Sequence, residues 1–208
     1  MIRKSPQEKL DLISKIDQGY WGQGMTIIGM DEVGRGPLAG PVVAAAVVMP
    51  SHELILGIDD SKKVSGKKRQ ELYGKIKECA IGIGIGVVSH HIIDKINILN
   101  ATKLAFKEAF SSLNYPADVV LSDYITGLDI GDYIAIKKGD SKSYSIACAS
   151  IVAKVVRDDM MIAYDKTIMG YDFSSHKGYG TKRHYEALSI NGISEIHRHS
   201  FLKNFVEK

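Results

Sequence analysis

The chain has 208 residues, of which 45% are hydrophobic and 25% charged, the balance of one ordinary globular domain with a sizeable core. That composition excludes a disordered scaffold, and no apolar run reaches the roughly 18 residues that a membrane span needs. A net charge of +3 permits nucleic acid as a partner without demanding it.

Residues 1–24 read as a short N-terminal helical appendage and linker, and residues 25–208 as the main domain. The opening MIRKSPQEKLDLISKI has no apolar stretch of the kind a secretory signal carries, so a cytoplasmic protein is expected. Ser5-Pro6-Gln7-Glu8 has the form of a capping box with proline at the first helical position, and Gly19–Gly24 reads as a linker. Strands are predicted at Met25–Asp31 and Pro41–Met49, both β-branched and apolar. A helix over Ser65–Cys79 precedes a third strand, Ile81–Ser89, whose period-two pattern puts isoleucines on one face and glycines on the other. Something must pack closely on those glycines. A helix over Ala101–Leu113 comes next, then short strands at Asp118–Asp123 and Tyr133–Lys137. A long helix within Ser141–Met169 and shorter ones near Thr181–Leu188 and Ser194–Phe201 close the chain. The order indicates an α/β sheet layered with helices. Cys79 and Cys148 stand far apart and outside metal-binding spacing, so neither a disulfide framework nor a zinc site is expected.

Carboxylates collect at strand ends. Asp31 closes an apolar run that looks buried, where an unpaired carboxylate is expensive, and Glu32 follows it. Neighbouring strand residues point to opposite faces, so the two need not share a site. Asp123 closes DVVLSD and Asp140 closes IAIKKGD. Taken singly, a strand-end aspartate or a helix cap explains each. Together, Asp31, Glu32, Asp123 and Asp140 could hold two divalent ions, Mg²⁺ or Mn²⁺, spaced for in-line phosphoryl displacement. Asp158 and Asp159 stand too far along a helix from Asp140, roughly 27 Å at 1.5 Å per residue, to join them.

The loop GRGPLAGP lacks the GK[ST] of a phosphate-binding P-loop. Gly34 and Gly36 offer bare backbone around Arg35, through which a 2′-hydroxyl could be approached closely and RNA told from DNA. Lys62 and Lys63, followed by Lys67, Lys68 and Arg69, form a basic run that would contact phosphates near a polyanion groove. Tyr179, between two glycines, has no neighbours to pack on and could stack on a sugar or base. His176 and His184 flank it, with a part in product release left open.

These blocks resemble the type 2 ribonuclease H family, and within it bacterial ribonuclease HII. The segment GMDEVGRGPLAGPVVAAAVV resembles the family signature, and DDSKKVSGKKRQELY its DSKKL segment. IDKINILNATKLAF is similar to the central helix, GDSKSYSIACASIVAKVVRD to the segment of the fourth acid, and HKGYGTKRHYEAL to the tyrosine motif. The resemblance implies a ribonuclease H-like five-stranded mixed sheet flanked by helices, with a helical C-terminal part. It implies Asp31, Glu32, Asp123 and Asp140 as metal-binding catalytic acids, and Gly34, Arg35 and Gly36 as readers of the ribose 2′-hydroxyl. It also implies Tyr179 stacked on the next deoxyribose and Lys62 and Lys63 on the substrate. The implied activity is hydrolysis of the RNA strand of RNA–DNA hybrids and of duplex DNA 5′ to an embedded ribonucleotide, by a monomer. One departure is Tyr124, where the family usually has a small residue after its third acid. Two rivals share parts of this set: another two-metal nuclease or transposase of the same fold, and a non-catalytic nucleic-acid-binding module.

Overall fold

A computed structural model describes residues 5–61 and 64–203 of the chain. Five strands form one mixed sheet: β1 Ile27–Val33, β2 Val42–Val48, β3 Gly82–Val88, β4 Val119–Asp123 and β5 Ile134–Ile136, in the order β3-β2-β1-β4-β5. The first three are antiparallel neighbours, whereas β4 and β5 run parallel to β1. Such a sheet needs cover on both faces, because its central strands are apolar throughout. Every residue of β2 is buried.

Helices supply the cover. One face packs on α4, His90–Leu113, through Ile28, Met30, Ala44 and Ala46 against Ala101, Ala105 and Phe106. The other packs on α5, Tyr144–Thr167, through Val43, Ala45 and Val47 against Ala147, Ile151 and Val152. The glycine face of β3 receives α4 at backbone distance, where a Cβ on Gly86 would stand 2.0 Å from the Ala105 carbonyl oxygen. On β1, a Cβ on Gly29 would stand 2.1 Å from the Ser145 carbonyl carbon. That contact seats the first turn of α5 directly on the strand that ends in Asp31. Helix α3, Gly66–Cys79, lies on the α5 side and buries Leu72 and Ile76.

Two short helices open the chain, α1 Pro6–Ile13 and α2 Lys15–Trp21. The capping box forms: the Ser5 hydroxyl accepts from the Glu8 N–H, and the Glu8 carboxylate accepts from the Ser5 N–H at 2.6 Å. Leu10 and Ile13 are buried in the same cluster as β2 and α5, so core packing is continuous across residue 24. Gly19 lies inside α2 rather than in a linker. Asp17, fully buried, accepts from the backbone N–H groups of Tyr144 and Ser145 at 2.9 Å each and from the Ser143 hydroxyl at 3.1 Å. It therefore satisfies the open N-terminus of α5 from another part of the chain.

Two segments depart from the sequence reading. Helix α4 begins eleven residues before Ala101, and the non-helical backbone of Asn97 (φ 66°, ψ 165°) breaks its periodicity, which is why the helical spacing shows only in the second half. The segment Ser194–Phe201, expected as a helix, holds only a 3₁₀ turn at His199–Phe201. Its backbone is engaged elsewhere, since His197 bridges to Ala39 and the Arg198 N–H donates to the Leu38 carbonyl. Two further helices, α6 Phe173–His176 and α7 Lys182–Asn191, complete the C-terminal part.

The close seat of α5 on β1 yields a stability test. Gly29→Ala is expected to destabilise the protein by about 3 kcal/mol or more, because the added carbon meets backbone that cannot rotate away. Gly19→Ala, with nothing within 4 Å of its Cβ, is expected to be neutral or to stabilise by up to about 1 kcal/mol. Urea denaturation of the two variants checks both signs.

Candidate active site

Strand parity and register assemble the acids. Ile27, Gly29 and Asp31 share the face covered by α5, whereas Ile28, Met30 and Glu32 alternate to the α4 face. The parallel register sets Gly29 beside Leu121 and Met30 beside Ser122, so one step further Asp123 comes alongside Asp31. Asp140 sits on a 3₁₀ turn, Gly139–Ser141, that leads into α5. Carboxylate oxygens of Asp31, Asp123 and Asp140 all lie within 4.8 Å of one another. The Asp123 carboxylate is held by the N–H groups of Gly139 at 2.7 Å and Tyr124 at 2.9 Å.

Glu32 is outside that group. It lies on the other pleat, and its carboxylate stands 3.3 Å from the Arg35 guanidinium. Three of the four sequence-predicted acids therefore converge, and the fourth is engaged by the loop arginine. Asp158 pairs with Lys154 at 2.8 Å and with Arg69 at 3.6 Å, and the Asp159 carboxylate accepts from Gln70.

The acids act on one another electrostatically. Burial, and then the neighbouring Glu32 and Asp123, push the Asp31 carboxyl well above its usual range, against the opposing Ser150 hydroxyl and Glu32 N–H. Glu32 is raised mainly by burial, with Arg35 pulling it down and Asp123 pushing it up. Clustered hard oxygen donors of this kind suit a divalent cation such as Mg²⁺ or Mn²⁺.

The loop after β1 is held by two buried arginines. Arg198 donates to the carbonyls of Gly34 at 2.6 Å, Arg35 at 3.1 Å, Gly40 at 3.0 Å and Pro41 at 3.2 Å. Arg157, on α5, donates to Pro41, Ala39 and Lys177. Both are fully buried, and burial lowers them to about 9 and about 10 respectively, so both remain charged at neutral pH. Gly34 has φ +97°, and a Cβ there would meet the Arg157 Nε at 2.3 Å; the position takes glycine for conformation and space alike. Sequence reasoning did not find these arginines. Nothing in VVRDD or HRH distinguishes a buried guanidinium from an exposed one.

The same arginines bring the C-terminal motif to the loop. Tyr179 is 40% exposed, and its ring lies 3.8 Å from where a Gly36 Cβ would be. The guanidinium of Arg157 and the amine of Lys154 each lie 6.0 Å from the ring centroid. Beneath it, His176 stacks on His184 at 4.2 Å, and the Nε2 atoms of His184 and His197 are 2.9 Å apart. Burial and then His184 hold His197 down at about 4. His176 and His184 bond the carbonyls of Tyr171 and Tyr179, so they brace the turn that presents the tyrosine.

Of the basic run, Arg69 donates to the Ser61 and Val64 carbonyls and Lys68 pairs with Glu71, which ties both to local structure. Lys62 and Lys63 lie outside the described residues.

A mixed five-stranded sheet with aspartates converging from β1, β4 and the turn before α5 defines a ribonuclease H-like protein. A sequence model of the family described as Ribonuclease HII matches residues 28–204, and the chain belongs to that family, one of endoribonucleases. The chain is 51% identical over 208 residues to the ribonuclease HII of Clostridioides difficile, covering 99% of this chain and 81% of the relative. It is 49% identical to that of Listeria monocytogenes, with 96% and 74% covered. Among solved structures, the ribonuclease HII complexed with PCNA from Archaeoglobus fulgidus superposes with a TM-score of 0.71 at 27% identity, covering 84% of this chain and 94% of that one. The ribonuclease H2 of Pyrococcus horikoshii gives the same TM-score at 24% identity, with 85% and 93% covered, and so shares the fold.

The raised Asp31 yields a pH test in metal-free protein. A carboxyl whose folded pKa exceeds its unfolded value stabilises the fold most at low pH, and that contribution is lost as pH rises through the folded value. Asp31→Asn is therefore expected to gain stability relative to the native chain as pH rises above the usual 3.8. Urea denaturation in chelator across that range measures the difference, and a gap independent of pH would contradict it.

Proposed function

We propose that this chain hydrolyses the RNA strand of RNA–DNA hybrids and cuts duplex DNA on the 5′ side of an embedded ribonucleotide, leaving 3′-hydroxyl and 5′-phosphate ends. The single observation that carries the reading is the juxtaposition of a buried acid cluster with a glycine-flanked loop and an exposed tyrosine. An acid cluster alone fits any metal-dependent nuclease. The bare backbone beside it gives this one a means of sensing a 2′-hydroxyl.

In this reading Asp31, Asp123 and Asp140 hold divalent metal, with Glu32 completing the set by releasing Arg35. Two bound ions, Mg²⁺ or Mn²⁺, would supply an activated water and neutralise charge on the departing 3′-oxygen. Bound metal would favour the ionised Asp31 carboxylate, against the burial that raises its carboxyl. The backbone of Gly34, Arg35 and Gly36 lies against the ribose, kept in place by Arg157 and Arg198. Arg35, once free of Glu32, is available to a phosphate. Tyr179 stacks on the sugar 3′ to the ribonucleotide, where a second 2′-hydroxyl would crowd the ring. Lys62 and Lys63 contact flanking phosphates. The protein works as a monomer in the cytoplasm; among the described residues no helix is long and apolar enough to cross a membrane.

Cleavage of three duplexes tests the reading: all-DNA, DNA with one ribonucleotide, and a continuous hybrid. Cutting of the second and third but not the first is expected, and equal cutting of all-DNA would contradict it. Asp31→Asn and Asp140→Asn are each expected to lower the rate by about 100-fold or more at saturating metal. Tyr179→Ala is expected to cost about 1–3 kcal/mol on the single-ribonucleotide duplex and less on the hybrid, so the kcat/KM ratio at fixed salt narrows. An unchanged ratio would assign the junction preference elsewhere.

A further inference from the structure

The acids have a second neighbourhood, on the side away from the glycine loop. A cleft of about 480 Å³ has Asp123 and Asp140 in its wall and is otherwise lined by Asp60, Tyr124, Lys137, Lys138 and Ser141. The Tyr124 side chain follows directly on an acid of the site, yet the residue is 62% exposed. Its backbone is pinned, because its N–H donates to the Asp123 carboxylate. Lys137 and Lys138 are both exposed, and neither has an ion-pair partner among the described residues. Lys138 adopts the left-handed region at φ +58°, which costs a lysine energy and is retained only where surrounding bonds enforce it. Here the Ser141 N–H and hydroxyl both donate to its carbonyl, at 3.2 and 3.0 Å. An exposed ring and two ammonium groups without an ion pair among the described residues thus line one edge of the acid cluster, on backbone held at Tyr124 and Lys138.

Topology sets this edge opposite the loop. In the sheet, β4 and β5 lie on one side of β1, and β2 and β3 lie on the other. The loop after β1 connects to β2, whereas Tyr124 follows β4 and the lysines follow β5. If the ribonucleotide and its 3′ neighbour occupy the loop and Tyr179, the same strand leaves the acids over Tyr124 and the lysines on its 5′ side. We propose that Tyr124, Lys137 and Lys138 form a subsite for the deoxynucleotides 5′ to the cut, a proposal that rests on the function argued above. The tyrosine ring stacks on a base or sugar and the lysines pair with phosphates, as on other sequence-tolerant nucleic-acid platforms.

The test compares two single-ribonucleotide duplexes with the same 3′ flank. One carries many deoxynucleotides 5′ to the ribonucleotide and the other carries only one. Native protein is expected to cut the long-flank duplex about tenfold better in kcat/KM. Tyr124→Ser and the double variant Lys137→Gln/Lys138→Gln are expected to erase most of that preference while cutting the short-flank duplex within about twofold of native. Tyr124→Phe, which keeps the ring, is expected to retain it. The slope of log affinity against log salt on the long-flank duplex should fall by about 1.8 in the double variant. A preference that survives both variants, or cutting by native protein that ignores flank length, overturns the subsite and leaves the function standing. Failure of native protein to cut at the ribonucleotide overturns the function and the subsite with it.

Discussion

Three carboxylates held with oxygens inside 4.8 Å of one another are the contact around which the rest of this structure is arranged. Like charges so placed repel, and one of them, Asp31, is only 5% exposed. A chain can maintain such an arrangement only if rigid elements deliver each acid. Asp31 and Asp123 come from adjacent parallel strands in a register that the apolar cores on both faces enforce. Asp140 comes from a turn whose position is set by α5. That helix is seated on β1 through Gly29 and is tied at its N-terminus to Asp17 of α2. Burial of Leu10 and Ile13 fixes the N-terminal helices to the same core, so the first part of the chain reaches the site through one buried aspartate.

The second half of the molecule serves the loop beside the acids. Two buried guanidiniums are costly to desolvate, and here every nitrogen of both donates to a carbonyl, all in the loop except the one that meets Lys177. A planar donor fork can satisfy several carbonyls at fixed angles, which lysine cannot. The loop is therefore held in one shape by the protein itself, and its bare backbone and the Tyr179 ring keep a fixed separation. The stacked histidines beneath Tyr179 act in the same sense. Their buried rings and hydrogen bonds to carbonyls make them supports for a turn.

Much of this was legible in the residues. β-Branched apolar runs identified β1 and β2, period-two alternation identified β3, and the glycine face of residues 82–86 foretold the close approach of a helix, which is α4. Aspartates that end apolar strands pointed to the site, because an acid at a buried strand end needs a reason to be there. Alternation also warned that Asp31 and Glu32 face opposite ways, and the structure has Glu32 with Arg35. What was not legible is tertiary. Asp17, Arg157 and Arg198 look like surface residues in their local sequence, since burial of a charge depends on partners far along the chain. The segment 194–201 shows helical spacing, yet its backbone bonds to Leu38 and Ala39 instead. The break at Asn97 hid half of α4 for the same reason that it bends the chain: one residue leaves the helical region.

The central claim is that the acids form one electrostatic unit suited to a divalent cation. Calorimetric titration of the protein with Mn²⁺, repeated in buffers of different ionisation enthalpy, counts the protons released on binding and tests it most directly. The expected result is binding with net proton release, because burial and then the neighbouring carboxylates raise the Asp31 carboxyl while a cation favours its ionised form, and a smaller release in Asp31→Asn. Binding with no proton release, or an equal release in the variant, would contradict the account.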